Sequence, residues 1–173
     1  SDYYFAMVSN QDGLGTSSFP TPSFEEPHQK MTTILKNEGI VFDAEHIDPS
    51  LPSEKSPNRK PQIGMLTGYF SDKFNLPESL VIGDRITDVE LAKNLGCKAI
   101  WINNPENRNL LKEKNLEACC TLITEDWDEI KEFLLKSVEK VTLTRNTAET
   151  KISLTLYRGQ TQRTKISSGL NFF

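Results

Sequence analysis

Five short apolar runs, each about as long as a strand, recur along the chain. They cover residues 3–8, 40–47, 79–82, 97–102 and 118–123. Continuous apolar runs of this length are typical of parallel strands covered on both faces. Segments with apolar residues at helical spacing separate most of them. The alternation predicts an α/β fold built on a Rossmann-like parallel sheet.

The segments between these runs predict the helices. Apolar positions at helical spacing indicate helices over residues 24–38, 62–74 and 126–140, a helix that follows the 79–82 run and ends at Gly96, and a short one ending near residue 115. Phe70, Phe74 and Trp127 are expected on the packed faces of their helices. We interpret His28 as a packing or capping residue and Cys97 as a core residue.

The pattern changes near residue 140. Residues 141–145 and 151–157 alternate between polar and apolar, residues 158–160 fit a hairpin turn, and residues 161–167 fit a return strand. We therefore predict an α/β domain over residues 1–140 and the start of a second domain, an antiparallel β-ribbon, over residues 141–173. Such a ribbon is not stable by itself. We expect both ends of the sequence to be cut.

Composition excludes several classes of protein. The chain is 36% hydrophobic and 25% charged, and its net charge is −4. No apolar run approaches the roughly 20 residues that span a bilayer, and no secretory signal opens the sequence. The acidic balance argues against a nucleic-acid partner. The three cysteines form no Cys-x-x-Cys pair, which fits a reducing cytoplasm. We therefore expect a cytoplasmic protein, and from the lack of a long apolar run we expect no membrane partner.

Polar residues follow three of the predicted strands. Ser9 and Asn10 come after the first run, Lys60 follows a proline-rich loop after the second, and Asp84 and Asp88 follow the third. Strand ends of an open parallel sheet meet at one crevice. A hydroxyl, an amide and a lysine bind a phosphate, and a carboxylate holds Mg²⁺. We therefore predict a small phosphorylated substrate.

Each of these groups also has a purely local interpretation. Polar side chains in a strand-to-helix turn bond their own backbone. Asp84 and Asp88 fit an N-cap and a first-turn acid that complement a helix dipole. Pro61 suits the first position of a helix, and Lys60 would then oppose the dipole, as expected of a functional residue; the alternative is a solvated basic pair with Arg59.

Several of these segments resemble the haloacid-dehalogenase phosphatases. Residues 8–16, 59–61 and 81–88 resemble the second, third and fourth motifs of that family, and residues 10–16 look specifically like histidinol-phosphate phosphatases. Residues 144–152 and 166–173 look like the opening of imidazoleglycerol-phosphate dehydratases. The two domains are fused in bifunctional enzymes of histidine biosynthesis, and the resemblance covers essentially the whole chain.

The resemblance implies roles for the strand-end residues. Ser9 would bind the phosphoryl group, and Asn10 would assist it or contact substrate. Lys60 would stabilise the phosphate and the nucleophile. Asp84 would be a Mg²⁺ ligand, and Asp88 would hold a metal-bound water or only cap the helix.

Three further residues follow from the same resemblance. Gln11 and Asp12 would select an amino-alcohol substrate. Arg59, beside the motif lysine, would contribute to phosphate or substrate binding.

The chain departs from the family in two places. The first motif, a strand ending in Asp-x-Asp that supplies the nucleophile, should lie upstream of Ser1, and its strand would be central in the sheet. By itself this chain should form no aspartyl-phosphate. Some family members hold zinc in the loop that corresponds to residues 48–58; this loop has no Cys or His, so we predict no Zn²⁺ site.

The dehydratase segment is also partial. The family's Mn²⁺ site uses histidines that would lie beyond Phe173. Arg145 and Glu149 match motif residues near that site, and a plain role on the ribbon surface is equally open for both. The intact protein is expected to form homo-oligomers.

These observations leave three functional hypotheses. The first is the phosphatase part of a histidine-pathway protein, which hydrolyses histidinol phosphate with Mg²⁺. The second is a phosphatase of another small phosphomonoester, such as a sugar bisphosphate. The third is a non-catalytic module that binds phosphate or supports assembly.

Overall fold

In the computed structural model, backbone structure is described for residues 3–138, 140–146 and 151–157, and side chains are described for residues 3–135. The chain forms two compact units, Ser1–Glu125 and Asp126–Phe173. The division lies before the last predicted helix, whereas the pattern places the domain boundary near residue 140. The helix thus groups with the ribbon that follows it.

The first unit opens with a parallel strand pair. Strand β1 (Ala6–Asn10) pairs with β2 (Ala44–Asp48), and Asn10 lies opposite Asp48 at the carboxyl ends of the two strands. Helix α1 (Thr21–Asn37) makes the crossover between them, as a parallel pair requires. None of its residues is buried.

A second sheet carries most of the core. Strands β3 (Leu80–Gly83), β4 (Lys98–Ile102) and β5 (Cys120–Thr124) are parallel and lie in that order. Helix α2 (Ile86–Leu95) connects β3 to β4, and the shorter α3 (Arg108–Glu113) precedes β5. The predicted α/β architecture with parallel strands is confirmed.

Helix α2 is the buried centre of the unit. Its inward face carries Val89, Ala92 and Leu95, the residues that the helical spacing identified, and all three are buried. The helix ends at Gly96, whose φ of +75° is a left-handed conformation that favours glycine. The buried cluster around α2 also contains residues of β4, α3, β5 and the segments that connect the elements, namely Leu66, Cys97, Ala99, Trp101, Leu111, Leu116 and Ile123.

The predicted helix over residues 62–74 is wrong. A 3₁₀ helix spans only Gly64–Tyr69, and Pro61 does not begin an α-helix. Only Leu66 of this stretch is fully buried, and Phe70 is exposed. Lys60 therefore does not stand at a helix entrance, and the predicted conflict with a helix dipole does not arise.

Other boundaries shifted by a few residues. The first strand begins at Ala6 rather than at residue 3, and the aromatic residues before it are 40–50% exposed. His28 stacks on Phe24 and pairs with Glu45, which confirms a packing role. Cys97 is buried, as expected.

The second unit consists of one helix and a ribbon over its described residues. Helix α4 spans Trp127–Val138, and strands β6 (Lys140–Asn146) and β7 (Lys151–Tyr157) pair antiparallel. The predicted antiparallel ribbon is confirmed for these two strands. Trp127 is 63% exposed, so the prediction that it faces inward is wrong. The predicted return strand over residues 161–167 lies outside the described residues.

A helix that spans a membrane must be both long and apolar. None of the helices in the described segments combines these two properties.

Candidate active site

The carboxyl ends of β1 and β3 meet at Lys60. Its backbone N–H donates to Asn10 Oδ1 at 2.9 Å, and its carbonyl accepts from Asn10 Nδ2 at 3.2 Å. Its ammonium reaches Asp88 Oδ1 in the first turn of α2, at 2.8 Å. One lysine thus joins the end of one sheet to the turn that follows the other. The sequence predicted this meeting of strand ends.

The Lys60–Asp88 pair is largely withdrawn from water. The two side chains are 16% and 7% exposed. The second oxygen of Asp88 accepts from the backbone N–H of Arg85 at 3.0 Å, so this carboxylate also caps helix α2. Glycine is required at position 83, since a Cβ there would collide with the Asp88 carboxylate. The bonds of Asp88 to Lys60 and to Arg85 occupy both carboxylate oxygens, so they favour a structural role for Asp88 over contact with a metal-bound water.

Asp84 has the opposite surroundings. Its side chain is exposed, and its carboxylate makes no hydrogen bond or ion pair with the part of the chain that the structure describes. Its backbone carbonyl accepts from the indole N–H of the buried Trp101 at 3.1 Å, which fixes the turn. A free carboxylate on a fixed turn suits a hard cation such as Mg²⁺, which binds through one or two carboxylates and several waters.

Ser9 and Gln11 lie beside this junction. The Ser9 hydroxyl accepts from Gln11 Nε2 at 2.8 Å, and it keeps its own proton to donate to an anion. The backbone N–H of Gln11 donates to the carbonyl of Asp48 at 2.8 Å. The loop after β1 is therefore held against the end of β2.

Asp12, in the loop after β1, and Arg59, next to Lys60, form an ion pair. The guanidinium donates to both carboxylate oxygens, at 2.6 and 3.2 Å, and also to the carbonyl of Ser50 at 2.6 Å. The hydrogen bond from Arg59 holds the pKa of Asp12 below its usual range, and the charge of Arg85 lowers it further. Arg59 is thus engaged with protein groups.

The structure brings together eight of the ten predicted site residues. They are Ser9, Asn10, Gln11, Asp12, Arg59, Lys60, Asp84 and Asp88. The side chain of Arg145, on β6, and all of Glu149 lie outside the described residues. Asn10 bonds the backbone of Lys60, so it supports the lysine.

Sequence reasoning missed two residues that shape this site. Trp101 was part of an apolar run and gave no sign of its bond to the Asp84 turn. Asp48 stood at a strand end before a proline, the same kind of position that marked the other candidates. The Asp48 carboxylate accepts hydrogen bonds from Ser50 and Ser56, which lie in the loop of residues 48–58. The expectation that this loop holds no Zn²⁺ stays a prediction.

Comparison with known proteins places these residues in a family context. A family model described as HAD-hydrolase-like matches residues 57–126, which include Lys60, Asp84 and Asp88. The histidine biosynthesis bifunctional protein HisB of Bacteroides fragilis is 49% identical over 173 residues, covering 99% of this chain and 46% of that protein. The protein of the same name from Spirosoma linguale is 42% identical over 178 residues, covering 99% and 47%. The chain spans slightly less than half the length of these relatives.

A solved phosphatase structure is also similar to this chain. D,D-heptose 1,7-bisphosphate phosphatase from B. bronchiseptica, complexed with magnesium and phosphate, superposes with a TM-score of 0.63. It is 28% identical, and the match covers 78% of this chain and 75% of that one. The predicted resemblance is confirmed: the chain is related over nearly its whole length to bifunctional proteins of histidine biosynthesis, and it has the α/β fold of the haloacid-dehalogenase-type phosphatases.

Proposed function

We propose that this chain contributes the phosphate-binding and Mg²⁺-binding parts of a phosphatase that hydrolyses histidinol phosphate. The observation that carries the proposal is the bonding of Lys60: its backbone binds Asn10 at the end of β1, and its ammonium binds Asp88 in the first turn of α2. The ammonium is thereby held next to the turn that carries Asp84. The relatives named for histidine biosynthesis support the pathway, and the phosphatase neighbour bound to magnesium and phosphate supports the chemistry.

Each residue has a part in this mechanism. Ser9 donates its hydroxyl proton to a phosphoryl oxygen. Lys60, aligned by Asn10 and Asp88, neutralises the charge that spreads over the phosphoryl oxygens in the transition state. Asp84 would hold Mg²⁺, which supplies further charge neutralisation when bound.

The proposed route through an aspartyl-phosphate needs a nucleophilic carboxylate at a strand end. The family carries it on the first motif, and we propose that residues encoded upstream of Ser1 supply it. Reading the gene upstream is the cheapest test. If no Asp-x-Asp follows an apolar run within about 50 residues, roughly one βα unit and its loop, the proposed route is wrong.

We propose that Gln11 and Asp12 choose the substrate. Asp12 stays ionised through its bonds to Arg59 and is about half exposed, so its charged oxygens can still accept a hydrogen bond from a substrate. We propose that this charge favours a substrate that carries an amino group over one that carries a second phosphate.

A second candidate is the hydrolysis of a sugar bisphosphate, favoured by the name of the structural neighbour. The two can be told apart with a panel that contains histidinol phosphate and heptose bisphosphate. Release of inorganic phosphate is measured with the chain as given and with the residues that its gene encodes upstream of Ser1. Preference for the bisphosphate would contradict the proposed substrate. Binding of phosphate without turnover in both forms would favour a non-catalytic module.

Lys60→Ala is the test of the site itself. In the chain with its upstream residues, we expect it to lower phosphate release by about 100-fold or more, because a preorganised charge facing the phosphoryl group is lost. Lys55→Ala is the matched control, since Lys55 is an exposed lysine of the same loop. Full activity of Lys60→Ala would remove this residue from the mechanism.

The second unit would belong to a dehydratase of the same pathway. Under this proposal Arg145 and Glu149 would serve a site whose Mn²⁺ ligands lie in the rest of the longer protein, which would assemble as a homo-oligomer. The relatives are named as bifunctional, which supports the fusion. Deleting residues 126–173 should therefore remove dehydratase activity from the longer protein.

A further inference from the structure

We propose that Asp48 is a positioning residue of this site: its buried carboxylate fastens the loop of residues 48–58 and thereby places Gln11, Asp12 and Arg59. The inference rests on the proposed function. It assigns a task to a residue that touches neither the phosphate-binding group nor the candidate metal ligand.

The carboxylate binds both ends of its loop. Oδ1 accepts from the backbone N–H of Ser50 at 3.1 Å and from the Ser50 hydroxyl. Oδ2 accepts from the Ser56 hydroxyl at 3.0 Å. The Ser56 oxygen in turn accepts from the backbone N–H of Asn58 at 3.2 Å. One side chain therefore closes the loop that leads into the motif of Arg59 and Lys60.

The fastened segment is also the surface on which the neighbouring loop rests. The carbonyl of Asp48 accepts from Gln11 N–H at 2.8 Å, and the carbonyl of Pro49 accepts from Gly13 N–H at 2.9 Å. The carbonyl of Ser50 accepts from Arg59, which grips Asp12. Three successive carbonyls thus hold the groups proposed to choose the substrate.

The burial of Asp48 shows that its carboxylate depends on the hydrogen bonds of the loop. It is 3% exposed, and it is one of two buried carboxylates among the residues whose side chains are described. The other, Asp88, has the ammonium of Lys60 as its partner, whereas the donors that reach Asp48 are an amide and two hydroxyls. A buried charge is costly unless hydrogen bonds satisfy it, so the loop geometry and the carboxylate depend on each other.

The test compares Asp48→Ala, Ser56→Ala and the double variant, with Ser53→Ala as the control from the exposed part of the same loop. Amide exchange is followed at Gln11 and Gly13, with Ala99, inside the other sheet, as the internal reference. We expect exchange at the first two amides to rise about tenfold in Asp48→Ala, as one lost bond to a charged group allows, while the reference stays unchanged. The double variant should exchange no faster than Asp48→Ala alone, because the bond that Ser56→Ala removes is already absent in Asp48→Ala.

The enzymatic readout uses the chain with the residues that its gene encodes upstream. We expect KM for histidinol phosphate to rise about tenfold in Asp48→Ala with a smaller change in kcat, because the displaced groups contact substrate rather than the reacting atoms. Asp48→Asn, which keeps one acceptor and the side-chain shape, should recover part of the loss.

The outcomes separate the two proposals. A wild-type protein that hydrolyses no phosphomonoester overturns the proposed function, whatever the exchange shows. Unchanged KM in an active Asp48→Ala, or unchanged exchange at Gln11 and Gly13, overturns the role of Asp48. If Asp48→Ala does not fold, Ser56→Ala decides by the same two measurements, because it leaves the charge and the Ser50 bonds in place.

Discussion

Asp84 and Asp88 are four residues apart in one turn, yet the fold gives them opposite surroundings. Asp88 is buried, binds Lys60 and caps α2. Asp84 is exposed, and it is held through its backbone carbonyl, which accepts from the Trp101 indole. The sequence could not separate the two, because both fit a capping role and both fit a metal ligand. What separates them is Lys60, which is distant along the chain.

The same substitution at these two positions should therefore have different effects. Asp88→Asn leaves the ammonium of Lys60 buried without its partner, and we expect the free energy of unfolding to fall by about 3 kcal/mol. Asp84→Asn changes an exposed group and should stay within about 0.5 kcal/mol of the parent. Urea unfolding measures both, and equal losses would contradict these assignments.

The stabilisation by added Mg²⁺ should depend on Asp84 more than on Asp88, the reverse of the order expected for the free energy of unfolding. A ligand that binds only the folded state raises its stability. In the chain with its upstream residues, we expect Asp84→Asn to lose the rise in Tm that added Mg²⁺ produces and Asp88→Asn to keep most of it. A normal Mg²⁺ response in Asp84→Asn would exclude it as a ligand.

Asn10 supports Lys60 through two hydrogen bonds to its backbone, one in each direction. Asn10→Ala removes both, and we expect a loss of about 2 kcal/mol in urea unfolding together with weaker phosphate release. Asn37→Ala, at the exposed end of α1, is the control and should not be destabilising, since alanine suits a helix. An Asn10→Ala variant as stable as the control would show that the strand ends are aligned by other contacts.

At the scale of elements, the helical spacing of residues 62–74 was misleading for a steric reason. Gly64 N–H bonds the carbonyl of Pro57, which draws the backbone of the preceding loop close to position 64. A Cβ at Gly64 would clash with the carbonyl of Pro57 and the side chain of Asn58. This contact with the preceding loop fixes the backbone where the 3₁₀ helix begins, and apolar periodicity carries no information about it.

Two glycines of this 3₁₀ helix provide a matched comparison. Gly64→Ala should lower the free energy of unfolding by about 1–3 kcal/mol, because the loop backbone must move. Gly68→Ala has open space around its Cβ position and should be near neutral. Equal effects of the two substitutions, measured by urea unfolding, would mean that the loop yields without cost.

At the scale of the whole molecule, the sequence was most informative where burial is continuous. The apolar run of β4 and the inward face of α2 predicted their elements and core residues, since packing decides both. The pattern failed where exposure or a single polar contact decides: the exposed aromatics before β1, Trp127 and Asp48. The strand-end rule located the site, but only the structure shows that Asn10 serves Lys60.

Stability should fall in mildly acidic solution because of His46. Burial lowers the pKa of this imidazole, which lies 2.8 Å from the Tyr69 hydroxyl, and burial raises the pKa of Tyr69 to about 12. As pH falls below about 6.5, the unfolded chain takes up a proton that the folded chain resists, so unfolding is favoured. The ion pair of Asp12 is lost only in stronger acid, as pH falls through its lowered pKa.

His46→Gln isolates this contribution, because glutamine does not titrate. We expect the parent to lose more stability than the variant between pH 7 and pH 5.5, as followed by urea unfolding at each pH. Parallel curves would show that other groups control the acid response.

The placement of Lys60 between two sheets has a consequence for how variants of this protein are scored. Under the proposed function, a growth selection under histidine starvation reads the product of protein abundance and turnover per molecule. Changes at Asn10 or Asp88 would lower abundance by weakening the junction, and changes at Lys60 would lower both quantities. Variants at a position such as Asp84, whose exposed side chain bonds no described residue, would report on chemistry alone. Abundance must therefore be measured beside growth before any of these positions is ranked as catalytic.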